Sequence, residues 1–337
     1  MKPQMLKRLP ERRALPTLSI VVPFYNEREV LPACVARLEQ VLDTLELSVE
    51  LVFVDDGSDD GSATLLAAMQ PRGADLRLIR LTRNFGKEAA MSAGIAHARG
   101  EAVIVLDADL QDPPELIPDM IAQWRAGADV VQMQRRSRAG ESWLKRSSAH
   151  AFYRLLARLS PAPIPLDTGD FRLMSRRAVD ALLRLPERNR YMKGLYAWIG
   201  LPTAILQYDR AARHAGRSKW RYTALAGLAM EGITSFSTAP LRLATLAGAL
   251  TALAGGLYGL WIVAKALLFG DPAAGFPSLV ALLALLGGMQ LLGIGIVGEY
   301  VGKTYLEAKQ RPLYLIQDEQ LILGGTQAAE WKRRRHA

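Results

Sequence analysis

The first two-thirds of the chain alternates short apolar runs with amphipathic stretches. Runs rich in β-branched residues predict strands at Leu18–Phe24, Val49–Asp56, Leu76–Leu81, Ala102–Leu106 and Asp129–Met133. Such continuous apolar runs are typical of strands that are buried on both faces of a parallel sheet. The intervening stretches predict helices at Glu29–Leu45, Thr64–Met69, Lys87–Ala98 and Glu115–Ala126. Strands that alternate with helices predict an α/β fold with a Rossmann-like, doubly wound sheet.

The pattern changes after Pro240, where two long and almost entirely apolar stretches follow one another. Leu241–Phe269 and Phe276–Tyr300 both exceed the roughly 20 residues that a transmembrane helix needs. Arg242 precedes the first stretch, Lys303 follows the second, and the turn between them contains no Lys or Arg. The positive-inside rule therefore predicts two transmembrane helices with both termini in the cytoplasm. A buried helical hairpin in a soluble core is the alternative interpretation.

These patterns also predict the domain organisation. The segments are a basic N-terminal tail (1–16), an α/β domain (17–222), a juxtamembrane helix (223–240), two transmembrane helices (241–302) and a cytoplasmic C-terminal tail (303–337). Within the α/β domain, residues 143–159 place apolar side chains on one helical face and Arg or His on another. This predicts an interfacial amphipathic helix on anionic lipid, and the alternative is a surface helix packed on the protein core.

Composition narrows the classes of partner. The formal net charge of +9 over 337 residues predicts affinity for anionic surfaces, either nucleic acid or lipid headgroups. The basic residues cluster near the apolar stretches and the termini, without interleaved aromatic residues in the α/β region, which argues against nucleic acid. Cys34 is the single cysteine, so an internal disulfide framework and a cysteine-rich metal site are excluded. We interpret Cys34 as a small apolar helix residue.

Polar side chains gather where the predicted strands end, which is where α/β sheets bind ligands. The chain has neither a Gly-x-Gly-x-x-Gly turn nor a phosphate-binding loop with its lysine, so the sequence favours a nucleotide held by carboxylates and a metal. Asp107 and Asp109 follow a strand and are spaced to share a hard cation, Mg²⁺ or Mn²⁺, with phosphate oxygens. Asp112 precedes two prolines, and we interpret it as a cap of the next helix.

Lys87 is a second candidate for function. It falls at the predicted start of a helix, where the helix dipole disfavours a cation. A bound phosphate would reverse that penalty, so Lys87 is predicted to lie beside the phosphates of the nucleotide. An ordinary solvated lysine is the alternative.

Several motifs in this order resemble one enzyme family. VVPFYNE (21–27), VDDGS (54–58), RNFGKEAA (83–90) and DADLQDP (107–113) resemble the inverting glycosyltransferases of family 2, which have the GT-A fold. GDFRLMSR (169–176), PERNRYMKG (186–194), EGITSFSTAPLR (231–242) and the two apolar stretches narrow the resemblance to the polyisoprenyl-phosphate glycosyltransferases. Within these, the chain is most similar to the enzymes that glucosylate bactoprenol, which is undecaprenyl phosphate.

The resemblance implies roles for individual residues. The residues expected to bind the nucleotide, together with Lys87, are Pro23, Tyr25, Glu27, Asp55, Asp56, Asp107 and Arg135. The expected metal ligands are Asp107, Asp109 and Gln111. Arg213 and Lys219 are expected near the diphosphate and the acceptor phosphate, and with Asp107, Asp109 and Asp170 they form the expected catalytic set. Asp170 is expected to position the sugar or the acceptor, and the alternative is a turn residue after Gly169.

The activity implied by the resemblance is transfer of a hexose, with glucose as first choice, from a UDP-sugar to undecaprenyl phosphate with inversion. The acceptor would be a phosphate monoester that is largely dianionic at neutral pH, because its second pKa is about 6, so no general base is needed. The enzyme would lie in the bacterial cytoplasmic membrane and serve cell-envelope glycan modification such as that of the lipopolysaccharide O-antigen. Related enzymes also imply a homo-oligomer, specifically a tetramer.

Other activities stay open at this stage. The same reaction could use UDP-N-acetylglucosamine, UDP-galactose, an aminoarabinose derivative or GDP-mannose. A processive polysaccharide synthase would normally carry a Gln-x-x-Arg-Trp motif, and SKWRY (218–222) lacks it. A non-enzymatic partner of a lipid flippase would leave the DAD element without a use.

Overall fold

The computed structural model describes residues 16–69, 71–136, 168–188, 190–209, 238–269 and 275–323. Several predictions fall outside these ranges. They are nearly all of the N-terminal tail (1–16), the interfacial helix (143–159), the juxtamembrane helix up to residue 237, the end of the C-terminal tail after residue 323, and the residues Arg213 and Lys219.

The described strands form one mixed sheet of eight strands, in the order β7-β5-β6-β4-β1-β2-β3-β8. The strands are β1 (Leu18–Phe24), β2 (Val49–Asp55), β3 (Ala74–Leu81), β4 (Ala102–Val105), β5 (Val130–Arg135), β6 (Thr168–Ser175), β7 (Thr203–Tyr208) and β8 (Ile316–Ile322). The helices are α1 (Leu31–Leu42), α2 (Ser62–Ala67), α3 (Lys87–His97), a 3-10 turn (Pro114–Leu116), α4 (Ile117–Arg125), α5 (Arg176–Leu183), α6 (Met192–Trp198), α7 (Ala239–Phe269) and α8 (Phe276–Ala308).

The centre of the sheet agrees with the sequence pattern. Strands β1 to β4 are parallel, with β1 between β2 and β4 and with β3 on the far side of β2. Helices connect them in turn, so the predicted α/β fold with alternating strands and helices is confirmed. Because the carboxyl ends of β1, β2 and β4 meet at one edge, the loops that follow them form a shared surface.

Three strands depart from the predicted pattern. Strand β6 runs antiparallel between β4 and β5, β8 runs antiparallel on the outer side of β3, and β7 pairs parallel with β5. The antiparallel direction of β6 brings its first residues to the edge where β4 ends. The segment around Asp170 is therefore the start of a strand, and the alternative that Asp170 is a turn residue is wrong.

Both faces of the sheet are covered by helices. Alternate residues of β1 and β2 pack with α1, α2 and α4 on one face, and the others pack with α3, α5 and α6 on the opposite face. Gly94 lets α3 lie directly on β1, because a Cβ atom there would come within 2.2 Å of Val21 Cγ1. Cys34 on α1 is fully buried in the first layer, and burial raises the pKa of its thiol to about 12. This agrees with our interpretation of Cys34 as an apolar helix residue.

The two apolar stretches form helices of 31 and 33 residues, α7 and α8. Each contains a window long and apolar enough to cross a membrane, Pro240–Trp261 and Leu285–Ala308, and no part of either window is buried within the described protein. Large side chains such as Leu260 (68% exposed) and Leu291 (71% exposed) face outward. An apolar surface of this extent needs a covering phase or partner.

Candidate active site

The loops after β1 and β2 are tied together by hydrogen bonds. The side-chain amide of Asn26 donates to Asp59 Oδ1 at 2.7 Å, and the backbone N–H of Asp59 donates to Asn26 Oδ1 at 3.0 Å. The backbone N–H groups of Asn26 and Glu27 donate to the hydroxyl groups of Ser58 and Ser62, at 2.9 and 3.1 Å. These loops therefore form one rigid rim beside the expected nucleotide residues.

The expected nucleotide residues of β1 lie along this rim. Pro23 is buried within β1, where it pairs with Val54 of β2. Tyr25 follows the strand with 36% of its surface exposed, and Glu27 is half-buried at the start of the connection to α1. The exposed ring of Tyr25 gives this rim a flat surface on which a base could stack.

Asp55 is the last residue of β2 and Asp56 follows it, and the two carboxylates accept different hydrogen bonds. Asp55 is buried, and its Oδ1 accepts the backbone N–H of Ser58 at 2.9 Å. Asp56 accepts the backbone N–H groups of Phe85 and Gly86 at 2.8 and 3.0 Å, so its carboxylate supports the loop that leads into α3. Burial raises the pKa of both carboxyl groups, and hydrogen bonds oppose this effect.

The turn after these carboxylates requires glycine. Gly57 has φ +75°, and a Cβ atom there would lie 2.5 Å from the carbonyl carbon of Arg83. The VDDGS turn is therefore packed against the RNFGKE loop, which fixes the distance between the ends of β2 and β3. No larger residue fits there without moving the backbone.

Lys87 stands between two carboxylates. Its Nζ lies 2.7 Å from Asp107 Oδ1 at the end of β4 and 2.6 Å from Asp170 Oδ2 on β6. Burial lowers the pKa of the Lys87 ammonium group, but the two facing carboxylates outweigh burial and hold that pKa above its usual value. Burial likewise raises the pKa of Asp170, and Lys87 with Lys193 outweighs burial, so that pKa lies below its usual range. The raised pKa of Lys87 and the lowered pKa of Asp170 keep both of these side chains charged.

Asp109 and Gln111 follow in the loop after β4. Asp109 Oδ1 accepts the backbone N–H of Gln111 at 3.2 Å. Asp109 is half-buried, and its charge contributes, behind the larger contribution of burial, to the raised pKa of Cys34 on α1. Asp107, by contrast, faces Lys87 on α3.

The carboxylates of Asp107 and Asp109 suit a divalent cation whose other ligands come from a substrate. Within the described ranges, no three His, Cys, Asp or Glu side chains come together as a metal site. Mg²⁺ and Mn²⁺ are often held by one or two carboxylates together with the phosphate oxygens of a nucleotide. Asp107 and Asp109 can supply that share, and a site closed by protein groups alone is not present among these residues.

The interpretation of Asp112 as a helix cap is wrong. No side-chain hydrogen bond caps either the 3-10 turn that begins at Pro114 or α4. Instead Asp112 is buried and accepts a hydrogen bond from the hydroxyl group of Tyr208 at the end of β7. The carboxylate was needed by a strand that lies 96 residues further along the chain, which local sequence could not reveal.

Basic residues support the floor of the site. Arg172 on β6 is fully buried, donates to the carbonyl oxygen of Gly169 at 2.7 Å, and lies 3.6 Å from the ring centre of Tyr196. Arg135 ends β5 beside the start of β6, because its Nη2 would be 3.3 Å from a Cβ atom at Gly169. Both guanidinium groups thus lie close to the segment that carries Asp170.

Sequence reasoning missed Glu88, Arg172 and Tyr208. Glu88 Oε2 accepts the backbone N–H of Met192 at 3.3 Å and connects α3 with α6. Arg172 had one visible signal, a single cation inside an otherwise apolar strand segment, FRLM. Arg213 and Lys219 lie outside the described residues.

Comparison with known proteins shows the family of the chain. Residues 19–183 match Glycosyl transferase family 2, and residues 239–304 match the GtrB C-terminal hairpin. The chain is 45% identical over 302 residues to a bactoprenol glucosyl transferase of Shigella phage SfV, covering 90% of this chain and 98% of the relative. It is 44% identical over 300 residues to a prophage bactoprenol glucosyl transferase homolog of Escherichia coli K12, covering 89% and 98%.

A third relative and a solved structure are also similar to this chain. A glycosyltransferase of Synechocystis sp. without an assigned function is 45% identical over 301 residues, covering 89% of this chain and 95% of the relative. Among solved structures, glucosyl-3-phosphoglycerate synthase of Mycobacterium tuberculosis with Mn²⁺, UDP and its product is similar at a TM-score of 0.48 and 20% identity, covering 65% of this chain and 78% of that one.

The relatives match both the α/β domain and the two apolar helices at high coverage. The matched family region and the hairpin therefore occur together in this chain. The chain belongs to glycosyltransferase family 2, and it is a glycosyltransferase with a GT-A fold.

Proposed function

We propose that the chain transfers glucose from UDP-glucose to undecaprenyl phosphate with inversion, in a reaction that depends on Mg²⁺ or Mn²⁺. The observation that carries the proposal is the Lys87–Asp107–Asp170 cluster, at the carboxyl edge of a sheet whose chain continues into two apolar helices. The names of the relatives, bactoprenol glucosyl transferases at 44–45% identity, support glucose and a polyprenyl phosphate.

The site is suited to holding a UDP-sugar. Tyr25, Glu27 and Asp55 line the rim with Pro23 beneath them, and they would bind the uridine. Asp56 holds the loop that presents Lys87 at the start of α3, where the helix dipole also favours phosphate. Arg135 would add positive charge near the diphosphate. Asp107, Asp109 and Gln111 would hold the divalent cation, which would neutralise the charge that develops on the departing UDP.

The acceptor presents an electrostatic problem rather than a proton-transfer problem. A polyprenyl phosphate with a second pKa of about 6 is already a nucleophile at neutral pH. The protein must therefore hold an anion in line with an anionic donor, and Arg213 and Lys219 are the proposed cations for that task. Asp170, fixed by Lys87, would orient the sugar, and a single displacement would invert the anomeric carbon.

The proposed acceptor is a lipid, so the active site must lie close to a membrane, and the apolar helices would anchor it there. We propose that α7 and α8 cross the bacterial cytoplasmic membrane, with the α/β domain and both termini in the cytoplasm. The interfacial helix at 143–159, the juxtamembrane helix at 223–240 and the basic tails would hold the site at the bilayer face. A homo-oligomer, specifically a tetramer, is part of the same proposal, and so is a role in envelope glycan modification.

A donor panel tests the proposed activity. Membranes containing the protein are incubated with undecaprenyl phosphate and with UDP-glucose, UDP-N-acetylglucosamine, UDP-galactose or GDP-mannose, and the lipid product is identified by mass. We expect glucose transfer that stops with EDTA and returns with Mn²⁺ or Mg²⁺. Asp109→Ala should abolish turnover while the protein stays folded. Transfer of another sugar would correct the donor, and no transfer from any donor would refute the proposal.

A further inference from the structure

Strand β8 places two acidic residues against the edge of the sheet. It follows the second apolar helix and pairs antiparallel with β3, from Leu76 opposite Ile322 to Leu81 opposite Ile316. Its neighbouring carboxylates each meet an arginine of β3: Glu319 pairs with Arg77, and Asp318 pairs with Arg80. Both ion pairs join β8 to β3, but Arg80 continues to Asp55 at the end of β2, whereas Arg77 continues to Glu50 near its start.

Arg80 stands between two carboxylates. Its Nη1 lies 3.5 Å from Asp318 Oδ1, and its Nε lies 3.8 Å from Asp55 Oδ2. Among the described residues, neither Arg80 Nε nor Asp318 Oδ1 has a hydrogen-bond partner, so these contacts act through charge. The guanidinium group therefore takes its position from the balance of its two anionic neighbours.

The charge of the buried Asp55 carboxylate is balanced by the guanidinium group of Arg80. Its side chain is 2% exposed, whereas Arg80 and Asp318 are each 33% exposed. A carboxylate with so little solvent needs a nearby positive charge or hydrogen bonds to remain ionised. Asp55 receives the N–H of Ser58 and the charge of Arg80, so a shift of Arg80 would change both its charge and its orientation.

We propose that Asp318 is a positioning residue of the nucleotide site, which holds Arg80 against Asp55 from the strand that follows the apolar hairpin. The inference rests on the proposed function, because it takes Asp55 to contact the donor nucleotide. It makes the C-terminal segment part of donor binding, whereas the sequence interpretation treated that segment as a tail.

The second ion pair is a matched control. Arg77 leads from Glu319 to Glu50, with its Nε 4.0 Å from Glu50 Oε2. Glu50 lies near the start of β2, and it is held by the hydroxyl group of Ser19 at 2.7 Å and by Arg99. Glu319→Gln thus also weakens an ion pair between β8 and β3, here a hydrogen-bonded one, without reaching the end of β2 that carries Asp55.

The experiment compares these two substitutions in the full-length protein. UDP binding is measured by calorimetry with Mn²⁺ present, and kcat and KM are measured with the donor found in the panel. We expect Asp318→Asn to raise the Kd for UDP and the KM for the donor about three- to tenfold, with kcat unchanged. Glu319→Gln should leave both constants unchanged. Asp318→Glu should restore donor affinity.

Asp55→Asn separates the outcomes. If Asp55→Asn weakens UDP binding but Asp318→Asn equals Glu319→Gln, the role of Asp318 is refuted and the nucleotide role of Asp55 stands. If the wild-type protein binds UDP and Asp55→Asn binds it equally well, the proposed nucleotide contact fails, and the inference fails with it. If Asp318→Asn lowers kcat at unchanged KM, positioning of the nucleotide is also refuted.

Discussion

Lys87 determines the charge balance of the candidate site. The helix dipole alone would make a lysine unfavourable at the start of α3. Asp107 and Asp170 compensate for this, since both lie within 2.7 Å of the ammonium group. The sequence interpretation assigned the compensation to a bound phosphate, and the structure shows that two carboxylates already provide part of it.

Removal of this charge should affect catalysis more than folding. In Lys87→Met, Asp107 and Asp170 would face each other without a cation, and the site would lose positive charge beside the diphosphate. We expect kcat/KM to fall about 10²- to 10³-fold, as for other lost charge-stabilising donors. Lys87→Arg should keep more of the activity. The control is Arg37→Met, which breaks an exposed ion pair with Glu115. If kcat/KM falls less than threefold in Lys87→Met, the proposed role of the Lys87 charge in catalysis is contradicted.

Glu88 should make stability depend on pH. Burial, and then the charge of Asp170, raise the pKa of Glu88 from 4.5 to about 7. Between these values the folded protein keeps a proton that the unfolded chain has lost, so stability falls as the pH rises through this window.

Substitution of Glu88 isolates this contribution. In Glu88→Gln the thermal midpoint should fall less between pH 5 and 7 than in the wild type, by about 2–6 °C, because the ionisable group is gone. The exposed Glu46→Gln is the control. Parallel midpoint curves for wild type and Glu88→Gln would show that Glu88 does not titrate in this range.

At the scale of elements, burial on both faces decides what the sequence reveals. Strands β1 and β2 are buried at every position and are apolar apart from Ser19, Glu50 and Asp55, so their bounds were predicted to within one residue. Strand β8 has an exposed edge and the polar sequence IQDEQLI, and β7 alternates between exposed and half-buried positions up to its buried last residue, Tyr208. Neither gives a strong apolar signal, so both were missed.

The residues of the candidate site also differ in how well the local sequence pattern predicts them. Asp107, Asp109 and Lys87 adjoin predicted strands and helices, so local pattern alone selected them. Asp170 was reached only through the family resemblance, because β6 carries Asp170 and the buried Arg172 in a strand that also lacks a continuous apolar run. Its place beside Lys87 follows from antiparallel pairing of β6 with β4, a long-range contact that local pattern does not encode.

The end of α8 is fastened to the loop that precedes α6. Both carboxylate oxygens of Glu307 accept the backbone N–H of Arg188, at 2.8 and 3.0 Å, and Arg188 Nη1 donates to the carbonyl oxygen of Arg311 at 2.8 Å. The same loop continues to Met192, whose N–H reaches Glu88 beside Lys87. The apolar hairpin is thus joined to the α/β domain at a second place besides β8.

Loss of this contact should loosen the loop. In Glu307→Ala the amide of Arg188 loses its acceptor, so we expect its hydrogen exchange to accelerate at least tenfold, as measured by mass spectrometry on the 184–195 peptide. Glu299→Ala, at an exposed position of the same helix, is the control. Unchanged protection of Arg188 would show that Glu307 does not hold the loop.

At the scale of the whole molecule, the exposed apolar helices separate this chain from a soluble enzyme of the same fold. Cys34 provides a way to test their orientation, because its thiol is fully buried and its pKa is raised to about 12. A thiol in this state reacts poorly with maleimides. Cys34 should therefore contribute little maleimide labelling, and single introduced cysteines can be detected in the natural chain.

The proposed orientation predicts one labelling pattern. Ala273→Cys, in the turn between the apolar stretches, should react with a membrane-impermeant maleimide in intact cells. Ala328→Cys, near the C-terminus, should react only after lysis. The opposite pattern would invert the topology, and labelling of both sites in intact cells would contradict a hairpin with both ends in the cytoplasm.

The position of β8 in the chain has a consequence for biosynthesis. A ribosome makes β3 early, but the strand that covers its outer side emerges only after both apolar helices have been translated. Until then β3 remains an open edge, which is the kind of surface that pairs with other nascent chains. The sheet can therefore be completed only after the whole hairpin has been translated, and under the proposed membrane insertion a stalled hairpin would leave an aggregation-prone intermediate for chaperones or proteases to remove.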